Sequence, residues 1–174
     1  MRLSDDDFML FGLPQRFELD RTVLDAQWRR LQAATHPDRF ASEGASAQRV
    51  AMQWAVRVNE AHQRLKDPLR RAAYLCELRG VAIEAERNTA MPGAFLMQQM
   101  EWREALDDAA SLSDVNTIDA HVQSVQSTML CELARLLDVD GDASGAAVRV
   151  RALMFVARFR QDTQRRLDVL DTTR

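Results

Sequence analysis

Amphipathic helical patterning runs through the first eighty residues of the chain. Leu24, Trp28 and Leu31 recur at i, i+4 and i+7, which places them on one face of a helix. Asp20 is a favoured N-cap for that helix. We expect the helix to end near Thr35, because a proline follows two residues later and disfavours the α conformation in the residue before it.

A longer apolar stripe follows a loop predicted over residues 37–45. Its members recur at helical spacing and indicate one long helix: Ala47, Val50, Ala51, Trp54, Val58, Ala61 and Leu65. Asp67 and Pro68 predict the start of a further helix, since an N-cap followed by proline at the first helical position is a preferred beginning. Gly80 is the predicted C-cap of this helix.

The second half of the chain is also patterned for helices. Residues 81–93 are weakly patterned and contain Pro92-Gly93, so we predict a linker there. Three helices are expected beyond it, at about 93–110, 114–138 and 144–171. The stripe predicted for the last helix consists of Val148, Ala152, Phe155, Phe159, Leu167 and Leu170. Three helices with short loops form a bundle. The sequence therefore predicts an all-α protein with an N-terminal domain over 1–80, a linker over 81–93 and a C-terminal three-helix bundle over 94–174.

The composition supports a helical protein, and the charge limits the classes of partner that it can bind. Only 6 glycines and 4 prolines occur in 174 residues, fewer than many short strands and turns would need. The net charge of −3 argues against non-specific binding to nucleic acid, which needs a basic surface. Residues 1–80 hold 13 basic and 11 acidic side chains, whereas the remainder holds 10 and 15. This difference suggests two surfaces with different partners, although chance and a solvated acidic face would produce it too.

The N-terminal segment is acidic and predicts a short helix over residues 4–11, capped by Ser4. Asp5, Asp6 and Asp7 would lie at the positive end of that helix. The segment has no apolar run typical of a secretory signal, and no stretch approaches the roughly 18 apolar residues that cross a membrane. We therefore expect a cytoplasmic protein with no membrane partner.

The two cysteines, Cys76 and Cys131, are far apart and sit in apolar helical patterns. We expect both to be buried structural thiols, and the absence of a CxxC motif argues against a zinc or thioredoxin-type site. The alternating aspartates after Asp138 suggest a calcium loop. That reading fails because Ala143 and Arg149 occupy positions that require Gly and Glu in an EF-hand. No metal or other cofactor is expected.

The tripeptide His36-Pro37-Asp38 carries the most specific chemistry in the sequence. Pro37 stiffens the backbone, His36 offers a hydrogen-bond donor and an acceptor, and Asp38 offers a carboxylate suited to an arginine on a partner. The alternative is that His36 and Asp38 only cap neighbouring helical turns. Flanked by a helix with exposed arginines and by a long amphipathic helix, the motif resembles a J domain, in which a helical hairpin carries this loop.

The resemblance to J domains implies what the loop does. It would contact a partner ATPase chaperone and favour its hydrolysis-competent state. Arg29, Arg30 and Arg39 would form a basic face that steers the loop onto an acidic chaperone surface, although ordinary solvated charge would look the same. Thr35 stands where many J domains have Tyr, and Arg39 stands where Lys is usual. The first difference removes an aromatic contact, and the second keeps the charge.

The resemblance covers nearly the whole chain and points to the HscB family. The matching segments are FMLFGLP, HPDRFAS, DPLRRAAYLCELRG and AFLMQQMEWREALDD, with a weaker match over residues 140–174. HscB proteins are J-type co-chaperones of iron–sulfur cluster assembly. The resemblance implies two partners, an HscA-type ATPase chaperone and an IscU-type scaffold protein. It also implies a bacterial-type form, since the N-terminal cysteine motif of some eukaryotic relatives is absent. The zinc-binding repeats of general J proteins are absent too.

The helix over 93–110 has more apolar residues than one buried face requires. A stripe of Phe95, Trp102, Leu106 and Ala109 would suffice, which leaves a surplus beside it. Surplus leucine and methionine next to glutamate suggest a partner surface. By resemblance, six residues match scaffold-contacting positions of the family: Leu96, Met97, Met100, Glu101, Glu104 and Phe155. The alternative is that they widen the bundle core, which Phe155 in particular would also fit.

The sequence thus predicts an adaptor that catalyses nothing itself. One alternative is a general J protein that delivers unfolded polypeptides to its chaperone. A second is an enzyme that uses His36 and Asp38 as an acid–base pair. The absence of a phosphate-binding glycine loop and of a convergent set of polar residues argues against the enzyme.

Overall fold

The computed structural model of the chain describes residues 2–40, 42–83 and 91–172. The regular structure within these ranges is helical throughout. The described ranges contain seven α-helices in the order α1 (Asp7–Phe11), α2 (Arg21–Ala34), α3 (Ala45–Lys66), α4 (Pro68–Leu78), α5 (Gly93–Asp108), α6 (Leu112–Arg135) and α7 (Ala143–Thr172). A 3₁₀ turn over Pro37–Phe40 joins α2 to α3, and a π-helical turn over Leu136–Asp140 continues α6.

The chain divides into two compact units, Met1–Leu75 and Cys76–Arg174. The division falls within the last turns of α4. Most of the linker predicted over 81–93 lies outside the described residues, so that linker and the domain boundaries predicted around it stay predictions.

The first unit is built on α2 and α3, which pack against each other. The predicted cap is confirmed, since the Asp20 carboxylate accepts hydrogen bonds from the first backbone N–H groups of α2. Six residues of the two predicted stripes are buried in the core: Leu24, Leu31, Ala51, Val58, Ala61 and Leu65. Val50 was wrongly placed in the stripe, because it lies half-exposed near the start of α3.

Helix α1 is tied to α3 by a buried charge. The Asp7 carboxylate is fully buried and lies 2.7 Å from Arg57 and 3.4 Å from Arg64. The prediction of Ser4 as the N-cap was wrong. Asp6 caps the helix because its carboxylate accepts the N–H of Met9.

The second unit is a bundle of α5, α6 and α7. Asp119 pairs with Arg160, and Glu132 pairs with Arg149, a register that only antiparallel α6 and α7 can give. The ring of Trp102 on α5 stacks on Phe159 of α7 with 5.6 Å between ring centroids. The predicted C-terminal three-helix bundle is therefore present.

Three predictions for the second unit were wrong in detail. Ala152 and Phe159 are buried on α7 as predicted, but Val148 and Phe155 are only half-buried. The buried side also includes five residues outside the predicted stripe: Ala146, Ala147, Val150, Leu153 and Val156. The loop predicted after Asp138 is partly helical, because the π-helical turn continues α6 through Asp140. Gly141, which has a left-handed φ of 68°, ends this turn. Cys131 is exposed on α6, and only Cys76 has the predicted buried position.

Candidate functional site

The His36-Pro37-Asp38 loop stands at the end of α2 with its polar groups in solvent. Pro37 begins the 3₁₀ turn, and the Arg39 N–H donates to the His36 carbonyl at 3.1 Å. The Asp38 N–H donates to Nδ1 of His36 at 3.3 Å, which sets the orientation of the imidazole. The Asp38 side chain is 87% exposed, and its Oδ2 lies 3.6 Å from the same Nδ1. A carboxylate this open can receive a cation from another molecule.

The three arginines predicted to flank the loop are all exposed. The guanidinium of Arg39 donates to the Ala33 carbonyl at 3.2 Å and so folds back over the end of α2. Nε of Arg29 donates to the Asp25 carbonyl at 3.2 Å. Arg30 forms no ion pair with any residue that the structure describes. The structure thus brings His36, Asp38 and Arg39 together at one end of the hairpin.

Thr35 supports the loop from beneath. It is buried, and both its N–H and its hydroxyl donate to the Leu31 carbonyl at 2.9 Å. These two bonds close the last turn of α2 and fix the direction in which the chain enters the loop. An aromatic side chain at this position could not form the hydrogen bond from the hydroxyl to the Leu31 carbonyl. In this chain a hydrogen-bonded helix end therefore takes the place of the aromatic contact.

A brace below the loop joins α2 to α3, and its pairing was not visible in the sequence. Nε2 of His62 lies 2.7 Å from Oδ1 of Asp25, and the Trp28 ring stacks on His62 with centroids 4.5 Å apart. Nε1 of Trp28 donates to Asn59 at 2.9 Å. The hydrogen bond from His62, more than the Arg21 guanidinium, lowers the pKa of the Asp25 carboxyl. The sequence carries no sign of this pairing, because Asp25 and His62 lie 37 residues apart.

The predicted apolar surplus on α5 lies in solvent. Met97 and Met100 are 65% and 70% exposed, and Leu96 is 46% exposed. Phe95 and Trp102 are buried on the opposite side of the same helix. We call the three exposed residues the apolar patch; Glu101 and Glu104 are exposed beside it.

Phe155 lies at a cleft between α5 and α7 rather than in the core. It is half-buried and lines this cleft with Gln99 and Arg103 from α5. Arg158 and Asp162 of α7 line the same cleft. The sequence did not single out the polar and charged residues of this cleft. A single polar or charged side chain on a helix looks the same in the sequence whether it lines a cleft or faces open solvent.

Within the described ranges, no group of three or more His, Cys, Asp or Glu residues is arranged to hold a metal ion. No helix of the described part is both long and apolar enough to span a bilayer. His121 lies at the edge of the Trp102 ring with centroids 6.1 Å apart.

Comparison with known proteins decides the family. A family model described as the HSCB C-terminal oligomerisation domain matches residues 91–164. A "Co-chaperone protein HscB homolog" of Burkholderia mallei (strain SAVP1) is 54% identical over 159 residues, which is 90% of each chain. A protein of the same name from Ralstonia nicotianae is 49% identical over 171 residues, or 97% of each chain. The chain belongs to the HscB family of co-chaperones.

Solved HscB structures share the fold. The chaperone HscB from Vibrio cholerae superimposes with a TM-score of 0.84 at 37% identity, covering 95% of this chain and 99% of its own. Human co-chaperone protein HscB matches with a TM-score of 0.89 over 94% of this chain and 83% of its own. At 24% identity the human protein supports the fold alone. The predicted all-α architecture, an HscB-type N-terminal J domain followed by a C-terminal helical bundle, is confirmed.

Proposed function

We propose that this HscB-family protein stimulates ATP hydrolysis by an HscA-type chaperone and delivers an IscU-type scaffold to it for iron–sulfur cluster maturation. The observation that carries the proposal is the occurrence of two exposed binding features on separate units. One is the open His36-Pro37-Asp38 loop, and the other is the apolar patch on α5. An adaptor needs two such surfaces, whereas an enzyme needs one convergent site.

The loop supplies the chaperone contact in this proposal. The Asp38 carboxylate would accept a bidentate hydrogen bond from an arginine of the chaperone, and His36 would hold the loop backbone in register. Pro37 limits the entropy lost when the loop docks. Arg29, Arg30 and Arg39 would steer the approach toward an acidic surface. The contact accelerates hydrolysis only if it stabilises the hydrolysis-competent state of the chaperone more than the chaperone's resting state. Its effect is therefore to raise the population of the competent state.

The apolar patch supplies the scaffold contact. Burying one large apolar side chain contributes roughly 1.5–3 kcal/mol, which Leu96, Met97 and Met100 largely forgo while they remain in solvent. Flexible methionine side chains adapt to the surface of a partner. Glu101 and Glu104 would form the polar rim that surrounds the apolar centre of an interface. Phe155 adds an aromatic ring at the margin of the same surface.

The protein itself catalyses no reaction in this proposal. It works in the cytoplasm, carries no metal or cofactor of its own, and treats the scaffold with its iron–sulfur cluster as cargo. Cys76 is unsuited to holding iron because burial raises the pKa of its thiol to about 11, which leaves little thiolate at neutral pH.

Steady-state ATPase measurements test the proposal. The turnover of an HscA-type chaperone is measured alone, with the full chain, with the scaffold, and with both. We expect the two together to raise turnover more than the sum of their separate effects. A permanently unfolded polypeptide replaces the scaffold in a parallel series. Equal stimulation by that polypeptide would support the general J protein, and no stimulation in any mixture would refute both functions.

A further inference from the structure

Two arginines of the second unit stand apart from the others. Within the described part of that unit, the other arginines all have an ion pair or a hydrogen bond to a carbonyl oxygen: Arg79, Arg135, Arg149, Arg151, Arg160, Arg165 and Arg166. Arg103 and Arg158 form neither with any described residue. Both line the cleft between α5 and α7. Two cations that neutralise no carboxylate within the described ranges remain free to bind an anionic group.

The cleft holds a further unused donor. Nε2 of Gln99 is buried there and finds no acceptor among the described residues. A buried donor without a partner is destabilising, so an acceptor that enters the cleft would relieve this penalty. The one carboxylate in the lining, Asp162, already pairs with Arg165 at 3.2 Å.

The size of the cleft limits what can enter. Its volume of about 20 Å³ is close to the space that a single water molecule needs. A nucleotide or another small-molecule ligand is far too large. One oxygen atom at the tip of a protein side chain fits, with the Phe155 and Phe159 rings as an apolar wall beside it.

The cleft borders the apolar patch on one side only. At about 100° per residue along α5, Gln99 and Arg103 fall between the buried Phe95 and the patch residue Leu96. Glu104 falls between Met100 and Met97, and Glu101 falls beyond Met97, on the side of the patch away from Arg103. The apolar patch therefore has a cationic edge toward α7 and an anionic edge away from it.

We propose that Arg103, Arg158 and Gln99 form a carboxylate-binding cleft that receives an Asp or Glu side chain of the scaffold and fixes its orientation on the apolar patch. This inference rests on the proposed function. The apolar patch contributes affinity but little direction, because apolar contacts are non-directional. Edges of opposite charge admit a partner in one orientation and oppose the reverse one by like-charge repulsion.

Scaffold binding by the full chain tests the cleft. The dissociation constant is measured by calorimetry for Arg103→Gln, Arg158→Gln and the double variant. We expect each single change to weaken binding about three- to tenfold and the double change about tenfold to a hundredfold, as charge-assisted hydrogen bonds are lost. The affinity of the double variant should also fall less steeply with added salt. Arg103→Lys and Arg158→Lys keep the charge but lose the planar fork, so they should retain the salt dependence and lose part of the affinity.

Arg149→Gln is the matched control. Arg149 lies on α7, as Arg158 does, but it is outside the cleft and pairs with Glu132. This variant should bind the scaffold as the unaltered protein does. In a second measurement, Arg158→Glu is combined with Asp→Lys and Glu→Lys changes across the scaffold surface, and one of these should restore binding. Unchanged affinity of the double glutamine variant, or weakening equal to that of Arg149→Gln, would overturn the cleft alone. A failure of the unaltered protein to bind the scaffold would instead overturn the proposed function.

Discussion

The imidazole Nε2 of His62 lies 2.7 Å from the Asp25 carboxylate, and this contact joins the two helices that carry the docking loop. His62 is buried, so its ring also fills space between α2 and α3. The loop depends on this brace, because Asp38 can meet a partner with a fixed geometry only if α2 and α3 hold a fixed angle.

Replacing His62 by Ala should loosen the first unit. The change removes a buried ring that stacks on Trp28 and leaves the Asp25 carboxylate without its shortest partner. We expect a loss of about 1–3 kcal/mol, within the range for disrupting a buried hydrogen-bonded group. Hydrogen exchange of the α2 and α3 amides measures this loss of stability. Unchanged protection of these amides would show that the brace contributes nothing.

Acid should weaken the same contact. The pKa of Asp25 is lower in the folded protein than its unfolded value of about 3.9, so the folded state favours the ionised carboxylate. The resulting stability is complete above about pH 5 and is lost as the pH falls through the lowered pKa. Asp25→Asn should therefore destabilise the first unit at pH 7 and lose that effect near pH 2. Hydrogen exchange of the unaltered protein and the variant is measured at pH 7 and pH 2, with Asp5→Asn as the control. If Asp25→Asn still destabilised the first unit at pH 2, the stabilising role of the Asp25 carboxylate would be contradicted.

Phe155 and Phe159 should separate binding from stability. Phe159 is buried against Trp102, so Phe159→Ala is expected to cost about 3–5 kcal/mol of the unfolding free energy. Phe155 is half-buried at the cleft, and Phe155→Ala should cost about 1 kcal/mol or less while weakening scaffold binding. Urea unfolding and calorimetric binding compare the two variants. Equal losses of stability would mean that Phe155 belongs to the core.

The patch residues should affect scaffold affinity out of proportion to their effect on folding. Leu96→Ala and Met100→Ala are each expected to weaken binding by about 1–2 kcal/mol, because truncated anchors leave a gap at the centre of the interface. Met9→Ala is the control, since Met9 is 63% exposed on α1, in the other unit. An equal loss of affinity in the control would contradict the assignment of the patch.

The two cysteines should differ sharply in reactivity. Burial raises the pKa of Cys76 to about 11, whereas Cys131 is exposed on α6. The thiolate is the reactive form, so at pH 8 a thiol reagent should label one cysteine per folded chain and two after denaturation. Mass spectrometry of the labelled peptides identifies the site. Rapid labelling of Cys76 in the folded protein would contradict its burial.

The sequence predicted the elements well because helical periodicity and caps are local. Asp20 and Asp67 cap α2 and α4 as expected, and the predicted stripes of α2 and α3 are buried at Leu24, Val58 and Leu65. Helix α7 was harder, because its buried side contains alanines that carry little signal and Phe155 offered a competing stripe. Cys131 was misplaced for a similar reason, since it lies only two residues from Met129 but on the opposite face of α6.

Contacts between distant segments could not be predicted. Nothing in the spacing of Asp25 and His62, or of Asp7 and Arg57, shows that helix packing brings these pairs together. The exposure of the docking loop and of the apolar patch was predicted, because each departs from what helix packing alone requires. The cleft of Arg103 and Arg158 was not predicted, since only the structure shows that these two, unlike the other described arginines of the second unit, lack a partner among the described residues.

The central claim is that the His36-Pro37-Asp38 loop activates a partner ATPase and takes no part in binding the scaffold. The most direct measurement compares His36→Gln with His121→Gln, an exposed histidine of the second unit, in both the chaperone ATPase assay and scaffold binding. We predict that His36→Gln abolishes stimulation while scaffold affinity stays unchanged, and that His121→Gln retains stimulation. Undiminished ATPase stimulation by the His36→Gln protein would contradict the claim.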